Sequence, residues 1–269
     1  MAMNILKKKI LALEQQARKL DPSEDERKAT RDRVVHYTEQ FLNAIEETKA
    51  FQFESDKGTG LLRHPFTEKP QSLDESIELI RSQVDFPALN PASGGHFGYI
   101  PGGGIYYAAL GDYMADISNR YAGIYFASPG AVRMENMLLR WVGDLMGYPK
   151  TAAGNITSGG SIANLIAICT ARDAMKVSSK NIRKSVIYLT EQAHHSLDKA
   201  IRIAGLRECV LRYVVMDDAY RMDARKLAEQ IQKDRKAKLN PFLLLASAGT
   251  TDVGAIDPLE KLATVCKKY

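Results

Sequence analysis

At 269 residues, with 45% apolar side chains and a net charge of +5, the chain has room for one large folded domain and an appendage. Its positive charge is dispersed: Lys7-Lys8-Lys9 lies in a helical run and Lys233-Asp-Arg-Lys-Ala-Lys238 ends a polar helix, so solvated helix faces account for both and no nucleic-acid groove is expected. Cys169, Cys209 and Cys266 are odd in number, far apart and set in apolar runs, which excludes a disulfide framework or zinc site and leaves no expected metal.

In chain order, Met1-Ala-Met-Asn-Ile-Leu-Lys-Lys-Lys has no apolar core of signal-peptide length. No run approaches the ~18 apolar residues of a membrane-spanning helix. A soluble, cytoplasmic chain with no membrane partner is the expectation. Residues 4–50 read as two helices that meet at Asp21-Pro22-Ser23. Their apolar stripes, Ile5, Ile10, Leu11, Leu13 and Ala17 in one and Val34, Tyr37, Phe41, Leu42 and Ile45 in the other, need a surface to pack on. Residues 51–104 read as a Gly/Pro-rich connection with one helix over 72–84, capped by Ser72 or Asp74. It ends in Ser93-Gly-Gly-His-Phe-Gly-Tyr-Ile-Pro-Gly-Gly-Gly104, either a tight surface turn or a loop shaped to approach a ligand.

Residues 129–147 carry Met134, Met137, Leu138, Trp141, Val142, Leu145 and Met146 at helical spacing, with Gly147 and Pro149 as stop signals. That stripe reads as core packing. From 157 onward helices and strands alternate: helix 162–175, strand 185–190, helix 197–204, strand 209–215, helix 224–236, strand 242–248, helix 258–268. Strands joined by helical crossovers give an α/β domain with a mainly parallel sheet. Asp257, before Pro258, is expected to cap the last helix.

The turn Thr157-Ser158-Gly159-Gly160-Ser161 opens directly into the helix over 162–175. Two glycines admit an anion closely, the first helical N–H groups point at it, and Ser158 and Ser161 add hydroxyls. No Lys-Ser/Thr follows, as a P-loop requires, and no Gly-x-Gly-x-x-Gly is present. A phosphate cup and a plain helix N-terminus are both open on the turn alone. Two further polar segments follow strands, Gln192-Ala-His194-His195 and Gly249-Thr-Thr251, at the end of the sheet where α/β folds bind ligands.

Taken together, Ser158-Gly-Gly-Ser-Ile-Ala-Asn164, Gln192-Ala-His194, Gly249-Thr-Thr-x-x-Gly-Ala-x-Asp-Pro258, His96-Phe-Gly-Tyr-Ile-Pro101 and Ala127-Ser-Pro-Gly-Ala-Val-Arg-Met-Glu135 resemble the group II pyridoxal-phosphate-dependent amino-acid decarboxylases. The resemblance runs from about residue 60 to the last residue, in order. It implies an aspartate-aminotransferase-like large domain (fold type I) over 129–269, a connection with a substrate-side loop over 51–128, and an N-terminal helical arm over 1–50 that crosses a homodimer partner. It further implies pyridoxal phosphate held by Ser158, Gly159, Gly160 and Ser161, a ring stacked by the catalytic His194, and Thr251 beside the ring. His96, Tyr99 and Pro101 would meet the amino-acid substrate, aromatic or acidic.

The family's ring-nitrogen aspartate and Schiff-base lysine would fall after Tyr269, so a fragment lacking the C-terminal part is expected. A carbon–carbon lyase of the sphingosine-phosphate lyase type shares the Thr-Ser-Gly-Gly turn and an Ala-His segment; a non-catalytic truncated partner is the third reading.

Overall fold

A computed structural model describes residues 2–53, 57–99 and 102–269, in two compact units, Met1–Met114 and Ala115–Tyr269. In the first, helices α1 (Ala2–Ala17) and α2 (Glu24–Asn43) flank a short 3₁₀ turn. Ser23 starts α2 with a reciprocal capping box, its hydroxyl accepting from the Glu26 N–H while the Glu26 carboxylate accepts from the Ser23 N–H at 2.8 Å. Ser72 and Glu75 repeat the device at α3 (Leu73–Ile80), which settles the cap on Ser72. The α-helix expected to reach residue 84 gives way to a π-helical turn over Arg81–Asp85, where Asp85 accepts from the Tyr37 hydroxyl. Strands β1 (Phe51–Gln52) and β2 (Ala88–Leu89) pair antiparallel. The apolar side chains Ile5, Ile10, Leu11 and Leu13 of α1 are exposed.

Helix α4 (Tyr106–Ser118) occupies a stretch that the sequence reading gave to a connection. Tyr106, Leu110, Tyr113, Met114 and Ile117 do repeat at helical spacing, but Gly111 interrupts the pattern and three glycines stand where a cap would. Helix α5 (Pro129–Leu145) begins with proline at its first turn and stops before Gly147, whose φ of 72° is the left-handed conformation of a helix end. Its stripe corrects the reading as core: no α5 residue is buried, and Trp141 stays 59% exposed.

The second unit carries a parallel sheet in the order β4-β3-β5, from β3 (Ser185–Leu189), β4 (Val210–Tyr213) and β5 (Asn240–Leu244). Every residue of β3 is buried because both faces are covered. Ile187 faces Ile168 of α6 (Gly160–Ala174) and Ala200 and Ile201 of α7 (Ser196–Ile203). Val186 and Tyr188 face Leu227 and Ile231 of α8 (Ala224–Lys236) and Leu262 of α9 (Leu259–Lys268). Burying a side chain such as Ile187 or Leu227 contributes about 1.5–3 kcal/mol.

Strand β5 starts at Asn240, two residues early, with Pro241 opposite Val186 and an irregularity before Leu243. A proline that cannot donate to the ladder fits an edge position beside a bulge. After Leu245, whose N–H donates to the Tyr188 carbonyl at 2.8 Å, the chain leaves β3, and Ala248 bridges back to Ile256. No helix of the described residues is long and apolar enough to cross a membrane.

Under the sheet, the buried Asp234 of α8 accepts from the Tyr188 hydroxyl at 2.8 Å, from Arg212 at 2.9 Å and from Gln230 at 3.2 Å. Burial acts most strongly on this carboxyl and opposes its charge, yet the bonds from Arg212, Tyr188 and Gln230 together hold it below the usual carboxylate range. Burial, then Asp234 itself, pushes the Tyr188 phenol upward. Since the folded carboxyl titrates below its unfolded value of ~3.9, its stabilisation is complete above that pH and is lost as pH falls through the lower folded value. Asp234→Asn should therefore cost about 2 kcal/mol at neutral pH in urea unfolding of the full-length protein. The gap to wild type should narrow only below pH ~4; a gap unchanged in stronger acid would contradict the network.

Candidate active site

Three segments of the second unit leave their elements at one end of the sheet. The first is the start of α6. Gly159 sits at φ 152°, ψ 172°, a backbone region essentially reserved for glycine, and the Thr157 hydroxyl donates to its carbonyl at 3.1 Å. The N–H groups of Ile162 and Ala163 both reach the Gly159 carbonyl at 3.1 Å. The N–H groups of Gly160 and Ser161 find no acceptor among the described residues and end in an exposed turn. No heavy atom lies within 4 Å of where a Cβ on Gly160 would stand, so the approach to these donors is open. The cap residue is Gly159, which has no side chain to bond the helix start, and Ser158 precedes it in the chain.

The second segment follows β3. Thr190 to Ala193 makes a tight turn, the Ala193 N–H donating to the Thr190 carbonyl at 3.1 Å, and projects His194 from the sheet end. The His194 Nδ1 accepts the Ser196 backbone N–H at 3.2 Å and lies 2.8 Å from the Ser196 hydroxyl. With the Ser196 N–H donating to Nδ1, a neutral ring would carry its proton on Nε2. The His195 ring lies against His194 with centroids 4.0 Å apart and planes inclined by 40°. The His195 ring therefore backs one side of the His194 ring. Both histidines are exposed.

Between these two segments stands Asn164, one helical turn along α6 from Ser161. Its Nδ2 donates to the Ser196 hydroxyl at 3.1 Å. The sequence offered Asn164 only as part of a motif, and Ser196 not at all. A polar residue one turn inside a cup, facing a serine at the next helix start, was the available signal.

The third segment follows β5. Gly249 (φ 118°) and Gly254 (φ 68°) bend a hairpin in which the buried Thr250 accepts the Ala255 N–H on its hydroxyl at 3.0 Å. Thr251, the sequence candidate, is exposed at the tip. Asp257 corrects the expectation of a helix cap. Its buried carboxylate accepts the Met222 N–H and the Ser247 N–H, each at 2.7 Å, and Pro258 takes the cap position of α9 without a side-chain bond. Asp257 thus fastens the turn after β5 to the loop before α8.

Of the candidates in the first unit, His96 and Tyr99 lie with ring centroids 6.4 Å apart and planes 25° from parallel. The His96 Nε2 is buried without a hydrogen-bond partner among the described residues, and Tyr99 is exposed in a left-handed backbone conformation (φ 67°). Pro101 lies outside the described residues.

Comparison with known proteins follows these motifs. The pyridoxal-dependent decarboxylase conserved domain matches residues 32–269. An aromatic-L-amino-acid decarboxylase of Bacillus atrophaeus is 31% identical over 210 residues, which cover 77% of this chain and 43% of that protein. A phenylacetaldehyde synthase of Petunia hybrida is 31% identical over 212 residues, covering 75% of this chain and 42% of the relative. Among solved structures, that of Oryza sativa TDC with PLP and tryptamine superposes with a TM-score of 0.80 at 24% identity, over 92% of this chain and 54% of that one. That likeness shows the fold, and the chain spans about half the length of the relatives it matches. With a family domain matched over 32–269 and the fold shared with a PLP-bound structure, the chain belongs to the pyridoxal-dependent decarboxylases, whose cofactor is pyridoxal phosphate.

Proposed function

We propose that this chain is the part of an L-amino-acid decarboxylase that holds the phosphate and one ring face of pyridoxal phosphate. The observation that carries the reading is the free pair of N–H groups on Gly160 and Ser161, open to an anion, with Asn164 on the same helix anchoring His194 through Ser196. The residues present fit the group. A phosphate needs several donors, a favourable helix dipole and room for close approach, and Ser158, Gly159, Gly160 and Ser161 supply these.

When bound, pyridoxal phosphate supplies an electron sink for breaking a bond at the substrate's α-carbon. The chain's own residues have simpler tasks. Ser158, Ser161 and the two amides bind the phosphate. His194, backed by His195, would face the cofactor ring and offer its Nε2 edge. Thr251 offers a hydroxyl from the hairpin tip. We assign substrate contact to His96, Tyr99 and Pro101, supported by the paired rings of the first two. The names of the relatives favour an aromatic over an acidic substrate.

The exposed stripes of α1 and α5 support burial against a homodimer partner, with 1–50 as the arm, 51–128 the connection and 129–269 the start of the large domain. A cytoplasmic location agrees with the three unpaired cysteines.

Activity is tested by incubating the full-length protein with pyridoxal phosphate and aromatic, acidic and basic L-amino acids. Carbon dioxide is measured together with amine and aldehyde, the latter because of the Petunia relative. Release of carbon dioxide from none of them would overturn the proposal. Ser161→Glu places negative charge and volume in the cup and should weaken cofactor binding at least about tenfold, ~1.4 kcal/mol, in a fluorescence titration. Unchanged affinity would reduce the turn to an ordinary helix start.

His194→Gln should lower kcat by about one to two orders of magnitude, and by clearly more than His195→Gln. Equal losses would remove the distinction between the two rings.

A further inference from the structure

We propose that Asn164 is a positioning residue that fixes the tautomer and plane of His194 through the Ser196 hydroxyl. The proposal rests on the reading of His194 as the ring-facing residue and adds how that ring is held. The contacts meet at the Ser196 oxygen and the His194 Nδ1. The Asn164 amide nitrogen donates to the Ser196 oxygen at 3.1 Å. Ser196 has one hydroxyl proton, and its oxygen stands 2.8 Å from the His194 Nδ1. The Ser196 backbone N–H already points at the same nitrogen at 3.2 Å. With Nδ1 accepting from the backbone, the hydroxyl proton is directed to it as well, and the Ser196 lone pairs are turned toward Asn164.

Ser196 is buried at 3% exposure and Asn164 is half-buried, so few water molecules compete for these bonds. Two donors on Nδ1, one from rigid helix backbone, fix the ring plane as well as the proton. The neutral imidazole then presents Nε2–H at its exposed edge. Because Asn164 lies one turn from Ser161 on α6, a single helix sets both the anion cup and the histidine orientation. A displaced α6 would misplace both together.

Aspartate at position 164 inverts the chain. It has nearly the shape of asparagine but only accepts at neutral pH, so the Ser196 hydroxyl would donate to it. The Ser196 lone pairs would then face Nδ1 at 2.8 Å and favour a proton there, against the longer 3.2 Å contact from the Ser196 backbone N–H. The experiment uses the full-length protein labelled with ¹⁵N in its histidine rings, studied without cofactor by solid-state NMR. The His194 signals are assigned by their loss in His194→Gln.

Wild type should show a neutral His194 with Nε2 protonated and Nδ1 bare. Asn164→Asp should move intensity to the Nδ1-protonated form, and Ser196→Ala should broaden the ring signals as its plane loosens. With cofactor and substrate, Asn164→Asp should lower kcat about tenfold with KM little changed. An unchanged tautomer in Asn164→Asp, or a shifted tautomer with full kcat, would overturn the proposal. Full kcat in His194→Gln would instead contradict the assignment of His194 to the ring and leave the tautomer measurement as an independent test of the network.

Discussion

Strand β3 is buried at all five residues, with apolar side chains directed alternately to helices on either face. A strand in that position has no freedom of register, since a one-residue slip would exchange Ile187 with Tyr188 and turn the Asp234 bond into the wrong layer. Its carboxyl end therefore emerges at one place, and the Thr190–Ala193 turn delivers His194 there. The same core holds α6 against α7, which brings Asn164 to Ser196. Ring and cup are consequences of how the sheet is covered.

Buried polar groups then decide what the loops can do. Asp234 joins β3, β4 and α8 beneath the sheet through Tyr188, Arg212 and Gln230. Asp257 joins the turn after β5 to the loop before α8 by accepting two backbone N–H groups. Each oxygen of both carboxylates accepts at least one hydrogen bond, as burial requires. By contrast, the Gly160 and Ser161 amides end in an exposed turn without intramolecular acceptors among the described residues. Satisfied polar groups inside and free donors at the start of α6 support the proposal that this turn binds an anion.

The alternation of helices and strands after residue 157 was legible because its signals are local: apolar runs, glycine stops, and proline at first turns. The turn before α6 was legible because two adjacent glycines mark it, and Gly159 takes backbone angles that favour glycine. Where partners distant in sequence decide, reading the chain failed. Asp257 looks like a cap beside Pro258, but Met222 and Ser247 claim its oxygens. The strand read from residue 242 instead starts at Asn240, with Pro241 inside it beside a bulge. The stripe of α5 has core periodicity and stays exposed, since periodicity marks an apolar face without saying what covers it. Helix α4 was lost among glycines.

The central claim is that the start of α6 binds the cofactor's phosphate while His194 lies on its ring. A crystal structure of the full-length protein with pyridoxal phosphate tests it most directly. The account predicts phosphate oxygens within hydrogen-bond reach, ~2.7–3.2 Å, of the Gly160 and Ser161 nitrogens, with the His194 imidazole stacked on the pyridine ring. A phosphate bound elsewhere, with those amides facing only water and His194 turned away from the ring, would contradict it.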